Sequence, residues 1–255
     1  MSTAFELEGV AFPLQIAPAV LVVGAGGGAG ATTTALGLAA AIGATTDWDA
    51  VAVDATTSGG DLGVRGADEL TRPMSLQSWL TEIADGATSI TRELLQSSSI
   101  GAGLLWRDDT ALPARATIGT TARLLRISGY LGIYDGGGHV SAGRLLPLIC
   151  DGHTSLILAT PARRGTANRL FASLKWLDQN LGGDVVADTT VVVTHQDQRT
   201  GSLADEIRRS LNGWVRDVFE VPYDPHLAGG VAISVDQLHS STTTAYADIV
   251  MGVGL

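Results

Sequence analysis

"VLVVGAGGGAGATTTALGLAAAIG", residues 20–43, passes from an apolar run through a glycine-rich turn into a helical pattern. The run ending at Gly24 has the continuous apolar character of a strand buried on both faces, and the stretch from Ala31 has the composition of a buried helix. A glycine turn that opens a helix is an anion site, because the first backbone N–H groups are free and the helix dipole favours negative charge there. Two phosphate-binding frames compete for it. The dinucleotide frame Gly-x-Gly-x-x-Gly is met at Gly24 and Gly26 but has Ala29 at its third position, and shifting it to Gly26 and Gly28 brings Ala31 there. Asp54 is then the acid for a ribose, farther along than the usual distance of about 20 residues. The phosphate-loop frame Gly-x4-Gly-Lys-Ser/Thr puts Gly30 at its last glycine and Thr32 at the magnesium ligand, but Ala31 takes the lysine position and Ala25 the first glycine. Neither frame is complete, so the rest of the chain must decide.

Outward from this stretch, apolar runs of strand length alternate with amphipathic segments, which predicts a mostly parallel sheet with helices on both faces. "AVAVD" ends at Asp54, and residues 75–97 read as two helical pieces, "SLQSWLTEIADG" and "SITRELLQS". "GAGLLW" is a strand, and "ATIGTTARLLRIS" is a helix feeding the strand "YLGIYD". Later come the helix "AGRLLPLICDG", the strand "TSLILAT" and a helix with Leu170, Leu174 and Leu177 on one face and Gly182 as its stop. "TTVVVTH", "SLADEIRRSLNGW" and "DVFEVPYD" continue the alternation to a final helix from about Val235. The expected organisation is an N-terminal extension, 1–18, followed by one domain, 19–255.

Composition narrows the function classes. Sixteen basic against twenty-six acidic residues leave a formal charge of -10, which argues against non-specific DNA binding, since that needs a cationic footprint. The nearest thing to a basic patch is Arg163, Arg164 and Arg169, whose plainer reading is a solvated helix start. Cys150 is the only cysteine, so no internal disulfide forms and a reducing, cytoplasmic location is expected. No apolar run is long enough to span a membrane, and the last helix lacks the basic face of an interfacial anchor. His139, Cys150, Asp151 and His153 match no closed zinc spacing. No Gly-x-Ser-x-Gly elbow occurs, which removes the usual foothold for a serine hydrolase. The five tryptophans are scattered and read as core or interface anchors.

From about residue 19 to its end the chain resembles the ParA/MinD superfamily of deviant-Walker-A ATPases. That family's loop is Lys-Gly-Gly-x-Gly-Lys-Thr-Thr, and here the aligned stretch is "GGGAGATT", Gly26 to Thr33. Gly26 and Ala31 replace both lysines, while Gly27, Gly28, Gly30, Thr32 and Thr33 match. "DATTSGGDL" resembles the Asp-x-Asp segment with its following Gly-Asp-Leu, but Thr56 stands where the second acid would be. "YLGIYDGGG" resembles the Walker B strand and turn, with Asp135 kept and the proline gone; "SLILATPARRGTANRL" and "VPYDPHLAGG" resemble later segments. In style the chain is similar to the actinobacterial MinD-like proteins encoded with type VII secretion systems.

The resemblance implies an α/β P-loop fold and a nucleotide site at Gly26, Gly27, Gly28, Gly30, Ala31, Thr32 and Thr33. It implies ATP or ADP as ligand, with magnesium held by Thr32 and Asp135, and homodimers or pairing with a related ATPase. In the family one lysine neutralises phosphate charge, the other reaches across a dimer, and the second aspartate orients the attacking water. Phosphoryl transfer is mostly positioning and electrostatics, so losing all three predicts a pseudo-ATPase acting as scaffold or regulator in positioning, partition or secretion. Were the site active, Asp54 and Asp135 would carry it. Lys175 is the only lysine, so any replacement cation must be an arginine; Arg163 and Arg164 follow a predicted strand, but nothing in the sequence brings them to the loop. Where the family's adenine side often offers an asparagine, "VVVTHQD" has Thr194 and His195. The alternative for the loop is a fold relic that packs helix on strand, and for the chain a Rossmann-type oxidoreductase.

Overall fold

The computed structural model describes residues 17–57, 59–71, 74–86, 90–112, 118–198 and 203–255. The strands are β1 (Ala19–Gly24), β2 (Asp49–Asp54), β3 (Gln96–Ser97), β4 (Gly103–Leu105), β5 (Tyr130–Asp135), β6 (Thr154–Pro161), β7 (Thr190–Thr194) and β8 (Asp217–Val221). They form one sheet in the order β3-β4-β2-β5-β1-β6-β7-β8. Every pairing is parallel except that of β3 with β4. The helices are α1 (Ala31–Thr45), α2 (Leu62–Gly66), α3 (Leu76–Ala84), α4 (Ile118–Ile127), α5 (Leu146–Ile149), α6 (Arg164–Leu181), α7 (Gly183–Ala187), α8 (Leu203–Leu211), α9 (Pro225–Ala228) and α10 (Ser240–Val253).

Because side chains alternate across a strand, each central strand feeds two cores. Leu21, Val23, Val51, Val53, Leu156 and Leu158 point to one face, where Trp79 of α3, Leu125 of α4, Leu174 of α6 and Ile207 of α8 cover them. Val20, Val22, Ala50, Ala52 and Ile157 point to the other, under α1 and α10. Burial on both faces explains why these strands read as unbroken apolar runs.

The order of strands positions the site. β1 lies between β5 and β6, and the chain builds outward from it in opposite directions, so the turn after β1 sits at a topological switch point, where open α/β sheets bind ligands. A dinucleotide fold places its first two crossover strands side by side; here β5 separates β1 from β2, which removes the basis for the oxidoreductase reading. The expected second helical piece, "SITRELLQS", is also corrected. Its described part is turn followed by β3, with Gln96 opposite Leu104, because Ile90 and Leu95 are its buried anchors and five residues apart they do not share a helix face. The last helix begins at Ser240, after a 3-10 turn at Val235–Gln237. Of the expected N-terminal extension, 1–18, residues 1–16 lie outside the described residues.

Candidate nucleotide site at the glycine loop

The turn from Gly24 to Gly30 is tied to both neighbouring strands. The Gly24 N–H donates to the Gly137 carbonyl at 2.7 Å and the Ala25 N–H to the Ala159 carbonyl at 2.8 Å. Gly30, the residue before α1, has φ 83° and makes no side-chain cap; a left-handed backbone there is what glycine supplies at little cost. The first turn of α1 holds no acidic residue, and Thr34 N–H closes on the Gly30 carbonyl at 2.8 Å. The N–H groups preceding it are those a helix start leaves open to an anion.

Two carboxylates end the neighbouring strands, and one of them touches this helix start. Asp54 and Asp135 end β2 and β5 and are register partners on those adjacent strands. Both are fully buried. Asp135 Oδ2 accepts from the Thr32 hydroxyl at 2.5 Å, and its Oδ1 accepts from the Gly137 N–H at 3.0 Å. Burial pushes the Asp135 carboxyl up to about 6; the Thr32 and Gly137 hydrogen bonds oppose the rise, and the charges of Asp54 and Asp61 add to it. Asp54 is fully engaged by its own turn: Oδ1 accepts from the N–H of Thr56 at 3.0 Å and from its hydroxyl at 2.5 Å, and Oδ2 accepts from the Gly60 N–H at 2.9 Å. Thr56 thus caps the acid it follows.

Thr32 and Asp135, which the sequence paired, are in direct contact. A hydroxyl and a carboxylate are hard oxygen donors of the kind magnesium takes alongside phosphate oxygens. Among the described residues no group of three or more His, Cys, Asp and Glu side chains is arranged for a metal ion.

One arginine of the basic cluster, Arg169, reaches the loop. A Cβ on Gly26 would lie 2.9 Å from Nη1 and 3.1 Å from Cδ of Arg169. An arginine of α6 therefore occupies the space beside Gly26 of the loop. Arg163 is exposed before α6, and the side chain of Arg164 lies outside the described residues. On the carboxylate side, Arg107 and Arg144 both bind the Thr56 carbonyl.

On the far side of Gly30 is a cavity of about 310 Å³ lined by Gly30, Thr33, His195, Pro222, Leu227 and Tyr246, among others. That volume is at the lower end for small-molecule sites. Thr194 Oγ1 donates to the Ala29 carbonyl at 3.1 Å, and His195 Nε2 pairs with Glu220 Oε1. Thr194 and His195 at the end of β7 thus secure the loop and a neighbouring strand.

A glycine loop that opens a helix at the switch point of a parallel sheet, with acids ending two neighbouring strands, is the architecture of a P-loop fold. More narrowly, the chain has the fold of the ParA/MinD ATPases. It is similar to a ParA family ATPase from Chlorobium tepidum TLS, at 18% identity and a TM-score of 0.71 over 92% of this chain and 98% of that one. It is similar to the MinD cell division protein of Aquifex aeolicus, at 16% identity and a TM-score of 0.62 over 94% and 99%. An ATP complex of a McdA variant from Cyanothece is similar at 14% identity and a TM-score of 0.58 over 94% and 97%. No family profile and no curated protein sequence matches the chain.

Proposed function

We propose that this chain is a degenerate ParA/MinD-like protein that binds nucleotide with little or no turnover and acts as a scaffold or regulator in positioning, partition or secretion. The observation that carries the reading is the triple replacement at one site: Gly26 and Ala31 for the lysines, and Thr56 for the second acid, with its hydroxyl spent on Asp54. Removing a charge-assisted contact costs about 1.5–3 kcal/mol before any transition-state effect, and three such losses fall on the groups that turnover needs. Binding depends on other groups: the open N–H groups of α1, Thr32 and Asp135 for magnesium, and the cavity beside Gly30 for the base. That a structurally similar McdA variant forms an ATP complex supports nucleotide as the ligand class. The protein then works through a homodimer or by pairing with a related ATPase, in the cytoplasm; among the described residues no helix is long and apolar enough to cross a membrane.

The test is calorimetry with ATP and ADP, with and without magnesium, beside a hydrolysis assay on the same sample. Magnesium-dependent binding without turnover is expected. Ala31→Lys should tighten MgATP roughly tenfold or more, the gain of one charge-assisted contact, and Ala31→Lys with Thr56→Asp should raise turnover above that of the parent. Measurable hydrolysis by the unaltered chain would overturn the pseudo-enzyme reading in favour of an active ATPase with an unusual site. In that case Asp135→Asn should abolish the activity.

A further inference from the structure

Two guanidinium groups converge on the turn that follows β2. Arg107, just beyond β4, donates from Nη1 to the carbonyls of Thr56 at 2.9 Å and Thr57 at 3.2 Å. Arg144, in the 3-10 turn before α5, donates from Nη1 to the same Thr56 carbonyl at 2.8 Å. Both side chains belong to half-buried residues. Among the described residues neither forms an ion pair with a carboxylate, and Nε of Arg107 is buried without a hydrogen-bond partner. Burial depresses the Arg144 pKa and the Arg107 charge depresses it further, with Asp54 pulling the other way. Two like charges on one neutral carbonyl, with a buried donor unused, are an arrangement that a bound anion would relieve.

Their position says which anion. The Thr56 side chain lies 3.4 Å from where a Cβ on Gly137 would stand, and a Cβ on Gly138 would stand 3.0 Å from the Gly26 and Gly27 backbone. The turn that the arginines hold therefore packs beside the turn after β5 that touches the loop, and Arg144 is within electrostatic reach of Asp54. A phosphate chain that begins at the start of α1 has its far end there.

Building on the nucleotide-binding reading above, we propose that Arg107 and Arg144 bind the terminal phosphate of a nucleoside triphosphate. They restore from outside the loop the charge lost with its lysines and select triphosphate over diphosphate. The Thr56 carbonyl is the contact they exchange for that phosphate. Triphosphate binding would then release the turn that carries Asp54, Thr56 and Gly60, coupling ligand identity to its conformation.

The test uses the full chain and its Arg107→Gln, Arg144→Gln and Arg144→Lys variants, each checked for fold by circular dichroism. AMPPNP, ADP and inorganic tripolyphosphate are titrated by calorimetry with magnesium. The unaltered chain should bind AMPPNP at least tenfold tighter than ADP. Each Gln variant should lose fivefold or more for AMPPNP and less than twofold for ADP, with Arg144→Lys retaining part of the preference. Equal losses for both nucleotides would reduce the arginines to props of the turn and overturn the proposal, as would unchanged AMPPNP binding. If neither nucleotide binds the unaltered chain but tripolyphosphate does, and the Gln variants lose it, the nucleotide reading falls while the arginine anion site stands. No binding of any of the three overturns both.

Discussion

Asp135 is where burial, the proposed magnesium site and pH meet. Its folded-state pKa of about 6 lies above the ordinary carboxylate value of about 4. Between those values the folded protein holds a proton that the unfolded chain releases, so stability from this group falls as pH rises and the loss is complete above about 6. A shift of about two units corresponds to roughly 3 kcal/mol. Asp135→Asn, which cannot ionise, should therefore stabilise the ligand-free protein by about 1–3 kcal/mol at pH 7.5 and by little near pH 4. Urea unfolding of both proteins at the two pH values checks it, since the difference between them cancels the other carboxylates. The same substitution should abolish magnesium-dependent ligand binding, and in the unaltered chain that binding should weaken as pH drops below about 6. A buried acid with a raised pKa costs stability at neutral pH, a cost of the kind found at functional sites. Glycines, threonines and this acid were legible in the sequence because each has a fixed offset from a strand end. Arg107 and Arg144 were not, because they bind the turn after β2 from elements far along the chain, and Arg169, legible only as part of a basic cluster, reaches Gly26 through the packing of α6.

At the scale of single elements, α1 shows why a helix with no polar stripe is placed where it is. Its buried residues run from Ala31 to Ile42, and it lies between the sheet and α10 in one core. Contact with α10 is close enough that a Cβ on Gly37 would lie 2.3 Å from ring carbons of Tyr246, itself buried. Gly37→Ala should therefore destabilise the protein by about 1–3 kcal/mol through overpacking, even though alanine is the better helix former. Six residues on, Gly43 is exposed and a Cβ there meets nothing within 4 Å, so Gly43→Ala should stabilise by about 0.5–1 kcal/mol. Denaturant midpoints of the two variants decide the matter; equal effects of the same sign would mean that helix propensity, and not the Tyr246 contact, governs this helix. α6 was legible because its periodicity accumulates over many residues, with Leu170, Leu174 and Leu177 on one face, and α1 because a long small-residue apolar run follows the glycine turn. "SITRELLQS" was not: a short run with Leu94 and Leu95 satisfies a helical pattern, and only the edge pairing of β3 with β4 resolves it as turn and strand.

For the molecule as a whole, the site couples to global stability because its parts come from the ends of β1, β2, β5, β7 and β8 and from the segment after β8. Arg65, buried on α2 just past the Asp54 turn, donates to the carbonyls of Leu227 at 3.0 Å and Val231 at 2.8 Å. It joins the carboxylate side of the site to the loop that lines the base-side cavity. A ligand spanning both sides would therefore brace segments that pair over more than 160 positions of sequence. A ligand that binds only the native state adds about 2.7 kcal/mol at a concentration one hundred times its Kd. For a chain of this length each kcal/mol moves the melting temperature by roughly 2–4 °C, so saturating MgATP should raise it by about 5–10 °C. Adding EDTA should reverse most of the gain, because Thr32 and Asp135 contribute through the metal. Arg65→Gln should lower the ligand-free melting temperature, since buried carbonyls lose their donors. It should also shrink the shift caused by MgATP, since the two sides are no longer held at a fixed separation. If Arg65→Gln lowers the baseline but leaves the MgATP increment intact, Arg65 only staples the C-terminal loop; if both fall, the base-side and phosphate-side segments act as one unit in binding.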